Sequence, residues 1–149
     1  MPSTVRLKNN ALLSMIRRSD VIVPDNKRHQ WIEPYLSADE GNTWYRLADS
    51  SFENYGNPPH MIRLKDGRLV LTYGSRIAPF SIMARISKDE GCSWSKEIVL
   101  RNDAQTWDLG YTRNAQRVDG KVVTVYYYTV KGAKERHIAA TIWDPSNID

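Results

Sequence analysis

The 149-residue sequence predicts an all-β chain built from a repeated antiparallel sheet. Three observations predict it. An octapeptide occurs twice, Ser37-Ala38-Asp39-Glu40-Gly41-Asn42-Thr43-Trp44 and Ser87-Lys88-Asp89-Glu90-Gly91-Cys92-Ser93-Trp94, with the shared pattern S-x-D-E-G-x-[ST]-W and starts 50 residues apart. Short apolar-alternating runs broken by Asn-Asn or Asp-Gly occur three times, which is the pattern of β-hairpins. No segment sustains a helical period. Four-stranded units recurring about every 40–50 residues read as β-propeller blades.

Each element has a local reason. In the octapeptide the Asp carboxylate accepts hydrogen bonds from the backbone just after it and closes an Asx-type turn. Gly41 and Gly91 supply a positive φ. The Thr or Ser hydroxyl ties down a further backbone group, and the Trp returns a large apolar ring to whatever lies beneath. The hairpins are Arg6–Leu13 around Asn9-Asn10, Arg63–Val70 around Asp66-Gly67, and Arg117–Val123 around Asp119-Gly120, each expected to carry a two-residue turn. A further alternating run follows each hairpin: Trp31–Leu36, Ser81–Ile86 and His137–Trp143. The first two runs end in the octapeptide turn and lead to a fourth strand, Tyr45–Leu47 or Glu97–Leu100; the third stops at Asp144-Pro145. The chain therefore reads as one domain over 1–149, with three blades at about 1–50, 51–106 and 107–149. Gly56, Pro58, Pro59, Gly74 and Gly110 are expected between strands. The connections Asp20–Gln30, Asp49–Asn57 and Asn102–Gly110 are candidate function-bearing loops.

Composition narrows the class. Apolar content of 41% and charged content of 26% read as soluble and globular, with length enough for a core. No apolar run is long enough to span a bilayer. Arg6, Lys8, Asn9 and Asn10 interrupt the start, so no signal peptide is expected. The expected location is cytoplasmic, or secreted if a leader has been removed. A lone cysteine, Cys92, excludes an intramolecular disulfide. The net charge of +4 suits anionic partners, but the lysines and arginines are scattered and no nucleic-acid motif is present. His29, His60 and His137 are not spaced as metal ligands, so neither a metal nor a cofactor is expected.

The octapeptides resemble the Asp-boxes, or BNR repeats, of the sialidase superfamily. The likeness extends to Gly56–Leu69, to Trp107-Asp108-Leu109-Gly110-Tyr111 with Val118–Tyr127, and to Ile138–Asp144. It covers nearly the whole chain and is similar to the C-terminal half of a sialidase-like glycoside hydrolase. The resemblance implies half of a six-bladed propeller, with three blades per chain. Three blades do not close a ring, so the expectation is a homodimer that builds one six-bladed ring; the alternative is that the chain is a fragment whose N-terminal half has been lost. The implied activity is exo-sialidase-type hydrolysis of acidic-sugar glycosides; the alternative is a non-catalytic glycan-binding or structural BNR-repeat module. In either case the expected partner is an acidic carbohydrate.

The resemblance also assigns residues. The family grips the substrate carboxylate with arginines, whose planar forks donate paired hydrogen bonds. Arg76, after the second hairpin, matches the region of such an arginine, and Arg17 and Arg18 hold the equivalent place after the first. The family's nucleophile is a tyrosine activated by a glutamate. Tyr111 is the candidate, with a core or sugar-stacking tyrosine as the other reading. Arg113 lies two residues further, on the same side of an extended strand. Asp108 is a candidate acid, a base partner, or the cap of a turn. Trp107 is a sugar-stacking or a core residue. Where the family's glutamate is expected, this chain has Asn57-Pro58-Pro59, which leaves Glu53 and Glu135 as substitutes. Asp39 and Asp89 are read as structural.

Overall fold

The computed structural model describes residues 1–22, 27–47, 51–53, 57–146 and 148, with backbone alone at 21, 22, 27, 28 and 53. The chain is all-β: twelve strands form three antiparallel sheets, with no helix among the described residues. Sheet 1 contains β1 (Pro2–Arg6), β2 (Leu12–Ile22), β3 (Lys27–Ser37) and β4 (Tyr45–Arg46), with a short β5 (Phe52–Glu53) also paired to β3. Sheet 2 runs in order β6 (His60–Arg63), β7 (Leu69–Ser75), β8 (Ser81–Ser87), β9 (Ile98–Arg101). Sheet 3 runs β10 (Gly110–Gln116), β11 (Val122–Tyr128), β12 (His137–Trp143). The first strands lie side by side, β6 touching both β1 and β10.

The hairpins form where expected but with longer loops. In all three the chain closes by the same two bonds: Asn10 N–H to Leu7 O and Leu7 N–H to Ala11 O; Gly67 to Leu64 and Leu64 to Arg68; Gly120 to Arg117 and Arg117 to Lys121. These are three-residue loops with a bulge, not two-residue turns. The reason lies in φ. A two-residue type I′ turn needs two residues at positive φ, and each loop has one: Asn10 at 68°, Gly67 at 94° and Gly120 at 86°.

The octapeptide turns repeat almost atom for atom. Asp39 Oδ1 accepts from the Thr43 N–H at 2.8 Å and from Ser37 Oγ at 2.8 Å; Asp89 Oδ1 accepts from the Ser93 N–H and from Ser87 Oγ at the same distances. Ser37 Oγ and Ser87 Oγ in turn accept the N–H of Gly41 and Gly91. The Thr43 and Ser93 hydroxyls donate to the second carboxylate oxygen rather than to backbone. So many donors hold the Asp39 carboxyl down at about 2. The two tryptophans part company. Trp94 packs on the core between sheets 1 and 2, whereas Trp44 stays exposed and donates its indole N–H to Gly41 O. Trp44 lies on the side of sheet 1 that no other sheet covers.

Alternation along the strands sorts side chains into two inter-sheet cores. Leu13, Met15 and Ile32 of sheet 1 pack on Met61, Leu69, Leu71 and Tyr73 of sheet 2. The opposite face of sheet 2, Val70, Ile82 and Ile86, packs on Val122, Tyr126 and Tyr128 of sheet 3, in two adjoining clusters. Each fully buried side chain of this size contributes roughly 1.5–3 kcal/mol. A buried polar thread also ties sheets 2 and 3 together: Thr72 and Thr112 hydroxyls at 2.9 Å, with Asn114 bridging Thr72, Thr124 and the His60 carbonyl.

Two boundary expectations are corrected. Most of Asp20–Gln30 is strand, because β2 and β3 run in register from Leu12↔Ser37 to Ile22↔Lys27. Gly74 lies inside β7 and Gly110 opens β10, so neither is between strands. A Cβ at Gly74 would come within 2.7 Å of both Asn57 Nδ2 and Leu109 Cδ1, so glycine serves close packing rather than a turn. Residues 23–26 of the first candidate loop, 49, 50 and 54–56 of the second (Gly56 included), and the Glu53 side chain lie outside the described residues; residues 52 and 53 of the second form β5.

Candidate functional site

Sheets 2 and 3 bring four of the predicted residues into one cluster at the end of β7 and the start of β10. Arg76 follows β7, and its guanidinium lies over the Trp107 ring, 5.1 Å from the centroid. The Arg76 Nε is shielded from solvent without a hydrogen-bond acceptor among the described residues. Trp107 and Asp108 sit on the connection from β9 to β10, and both Trp107 and Tyr111 present an exposed ring. The Tyr111 ring stacks on Tyr127, centroids 5.6 Å apart. The Tyr127 hydroxyl donates to Asp108 Oδ1 at 2.6 Å, and Arg136 pairs with Asp108 Oδ2. Tyr127 and Arg136 were missing from the sequence-based set. The sequence signal for Tyr127 was its place in Tyr126-Tyr127-Tyr128: Tyr126 and Tyr128 bury toward sheet 2, so Tyr127 must face the other way. Arg136 carries no comparable signal; only the register of β12 against β11 places it.

The backbone aims Tyr111. Gly110 has φ 115° and Tyr111 has φ 47°, and the β10–β11 register shifts between Gly110 and Arg113. A non-glycine residue at positive φ is costly, of order 1–3 kcal/mol, and such strain gathers where a side chain must be re-aimed. A Cβ at Gly110 would lie inside van der Waals contact with Asn57 Oδ1, so the bulge starts on a residue that only glycine fits. Asn57, at the position where a glutamate was sought, is thus buried packing against this bulge.

The electrostatics are those of a fixed carboxylate between cations. The Tyr127 hydrogen bond, followed by Arg136 and Arg76, holds the Asp108 carboxyl below the usual carboxylate range. Burial and the same bond push the Tyr127 phenol up to about 12. At neutral pH Asp108 is an ionised acceptor and Tyr127 keeps its proton.

The other predicted residues lie elsewhere. Arg18 pairs with Glu33 at 3.3 Å on the uncovered face of sheet 1, where Arg46 and the Tyr35 hydroxyl also bind that carboxylate. Arg17, on β2, stands opposite Ile32. The bulge removes the extended geometry that was to align Arg113 with Tyr111. Arg113 donates to the Thr112 carbonyl, and its charge acts on His60. Glu135 is exposed on the connection before β12. Among the described residues no group of His, Cys, Asp or Glu could hold a metal ion, and no helix is long and apolar enough to cross a membrane.

Repeated antiparallel sheets with twin S-x-D-E-G-x-[ST]-W turns define a β-repeat protein whose strand ends carry a cationic and aromatic cluster. The family is shown directly: residues 1–125 match the BNR repeat-like domain, and the chain belongs to that family. Two solved structures are similar. One is a protein of unknown function from Dyadobacter fermentans DSM 18053, 31% identical over 95% of this chain and 36% of that one, with a TM-score of 0.71. The other is an endo-arabinase from Bacteroides thetaiotaomicron VPI-5482, 19% identical over 98% of this chain and 56% of that one, with a TM-score of 0.60; this likeness is one of fold. The chain thus spans about a third to a half of the length of these relatives. Among curated proteins none matches.

Proposed function

We propose that this chain is a carbohydrate-binding BNR-repeat module that takes an acidic sugar at the Arg76–Trp107–Tyr111–Arg136 cluster. The observation that carries the reading is Arg76: a guanidinium laid on an exposed indole, with a shielded Nε that has no acceptor among the described residues. A sugar carboxylate pairs with the Arg76 guanidinium, the exposed rings of Trp107 and Tyr111 supply stacking surface for the pyranose, and Asp108 holds Tyr127 and Arg136 in place. The similar endo-arabinase is a carbohydrate-active protein by its name, which accords with a sugar ligand. In the same reading the three sheets are propeller blades, their first strands nearest the axis, and a two-fold homodimer completes six.

Hydrolysis of acidic-sugar glycosides is the second reading, favoured by one observation: Tyr111 is exposed and held at φ 47° by its bulge, as a positioned nucleophile would be. Against it, Asp108 is kept ionised and so is a poor general acid, and no described glutamate reaches Tyr111. Titration calorimetry with N-acetylneuraminate and glucuronate, beside a fluorogenic sialoside assay, separates the two. Binding of either acid, weakened tenfold or more by Arg76→Ala, with no turnover, supports the module. Turnover abolished by Tyr111→Phe supports the enzyme. Absence of both overturns the sugar reading.

A further inference from the structure

The three sheets stand in one orientation. Their hairpin ends meet: the Lys8 N–H donates to Glu90 Oε2 at 2.9 Å across the first joint, and the Lys65 N–H to Gln116 Oε1 at 2.8 Å across the second. The opposite ends, where β2, β7 and β11 finish and β3, β8 and β12 begin, therefore share a rim. The Arg76 cluster sits on that rim. Arg76 follows β7, Trp107 and Asp108 precede β10, and Arg136 precedes β12.

At this rim the sheets differ in height. β7 and β8 pair over seven residues, from Leu69↔Ser87 to Ser75↔Ser81, and β11 and β12 over seven, from Val122↔Trp143 to Tyr128↔His137. Ser37 and Ser87 hold the same place in the two octapeptides, so Leu12↔Ser37 starts level with Leu69↔Ser87. From there β2 and β3 run for eleven pairs, to Ile22↔Lys27. The extra pairs raise a ribbon about 13 Å above the rim of sheet 2, at the usual rise per strand residue. Packing does not account for it. Beyond the Arg17↔Ile32 pair, no described residue of β2 or β3 joins the core between sheets 1 and 2.

Alternation tells which face of the ribbon overlooks sheet 2. Met15 and Ile32 point into the core there, so Arg17, Ser19 and Gln30 continue the same face upward. Ser19 and Gln30 stand opposite each other, and the Gln30 amide donates to the Ser19 hydroxyl at 3.4 Å. Below this wall, the rim of sheet 2 is the short connection between Ser75 and Ser81, where Ile77 is exposed. Beyond that connection, toward sheet 3, the Arg76 guanidinium lies on Trp107.

We infer that the rim groove between this ribbon and the Arg76 cluster takes an acidic oligosaccharide. One acidic sugar sits at Arg76 and Trp107, and the next sugars cross the β7–β8 connection to Arg17, Ser19 and Gln30. This rests on the sugar reading above and extends it from a single sugar to a chain. Length is the first reason. Packed sheets stand about 10 Å apart, so a ligand that touches both walls needs more than one pyranose ring. Chemistry is the second. The Gln30 amide and the Ser19 hydroxyl can each donate and accept, as sugar hydroxyls require. Arg17 adds positive charge at the base of the wall, which suits a second carboxylate. A chain of uronates and a chain of sialic acids share this chemistry, one carboxylate on each ring.

Titration calorimetry of the whole chain with galacturonate against tri-galacturonate, and with N-acetylneuraminate against its linear trimer, tests the inference and separates the two sources. The trimer of one series is expected to bind about tenfold or more tighter than its monomer, beyond the roughly threefold that three equivalent rings give by statistics alone. Ser19→Trp, at an exposed position, is expected to fill the groove and bring the trimer down to the affinity of the monomer. Gln30→Ala is expected to weaken the trimer alone, and Arg76→Ala to weaken monomer and trimer alike. A trimer that binds no tighter than its monomer, or one indifferent to Ser19→Trp and Gln30→Ala, overturns the inference and leaves the single-sugar site standing. Absence of binding by every probe overturns the sugar reading and this inference with it.

Discussion

Glu90 offers the sharpest test of how the sheets are held together. Its carboxylate accepts two bonds from Arg63 and the Lys8 N–H, and the Lys8 ammonium lies 3.9 Å away. Glu90→Gln keeps the shape and removes the charge, turning an amide NH₂ toward a guanidinium. Arg63, then burial working against it, then the Lys8 N–H set the Glu90 carboxyl; the net effect lowers it from 4.5 to about 2. At face value such a drop is about 3 kcal/mol. The site is partly open to water, and screening reduces this to about 1–2 kcal/mol. A pKa depressed by folding stabilises fully above the unfolded value and is lost as pH falls. The gap between wild type and Glu90→Gln should therefore be constant from pH 7 to about 5 and shrink between 4.5 and about 2. Urea unfolding at pH 7, 5, 4 and 3.5 measures it. Glu40→Gln, whose Arg6 pair is exposed, should destabilise less. A Glu90→Gln deficit that stays the same down to pH 3.5 would show that the charge does not hold this joint, and the reasoning would fail.

Two further predictions follow from geometry. Gly110→Ala should cost about 2–4 kcal/mol, because it adds strain at positive φ to a clash with Asn57. Gly120→Ala, with φ 86° and nothing within 4 Å of the added Cβ, should cost only the strain, about 1 kcal/mol. Equilibrium unfolding of the pair tests the difference, and equal losses would refute the packing account. Burial, then the charge of Arg113, lowers the His60 pKa below 6.5. Its neutral form is favoured in the fold, so the associated stability is present above about 6.5 and declines as pH falls. An NMR titration should place His60 below 6.5, and Arg113→Ala should move it upward.

The turns were legible because their chemistry is local. Ser37, Asp39, Gly41 and Thr43 bond to one another within eight residues, so the pattern and its repeat carried the turn, though not the different fates of Trp44 and Trp94. Hairpin positions were legible for the same reason, but loop length was not. Asp-Gly is compatible with either loop, and the choice depends on whether Asp66 or Asp119 also takes a positive φ, which the dipeptide does not reveal. Gly74 was misplaced because its role is set by Asn57 and Leu109, distant in sequence. Four of the six residues of the candidate site, Arg76, Trp107, Asp108 and Tyr111, were read from segments flanking the hairpins. Tyr127 and Arg136 escaped because strand pairing in sheet 3, not sequence proximity, brings them to Asp108.

That asymmetry bears on what the site can do. A sequence match can place Tyr111 near an aspartate, but it cannot say which group the aspartate already serves. In the fold, Asp108 is committed to the Tyr127 hydroxyl and to Arg136. To act as an acid it would have to gain a proton that both partners oppose; to act as a base for Tyr111 it would have to release a bond to Tyr127. Arg76 lies on the face of Trp107 and its charge also acts on Asp108 and Tyr127. Among the described residues its Nε is shielded without a hydrogen-bond acceptor, and under the proposed function this guanidinium holds a carboxylate rather than breaking a bond.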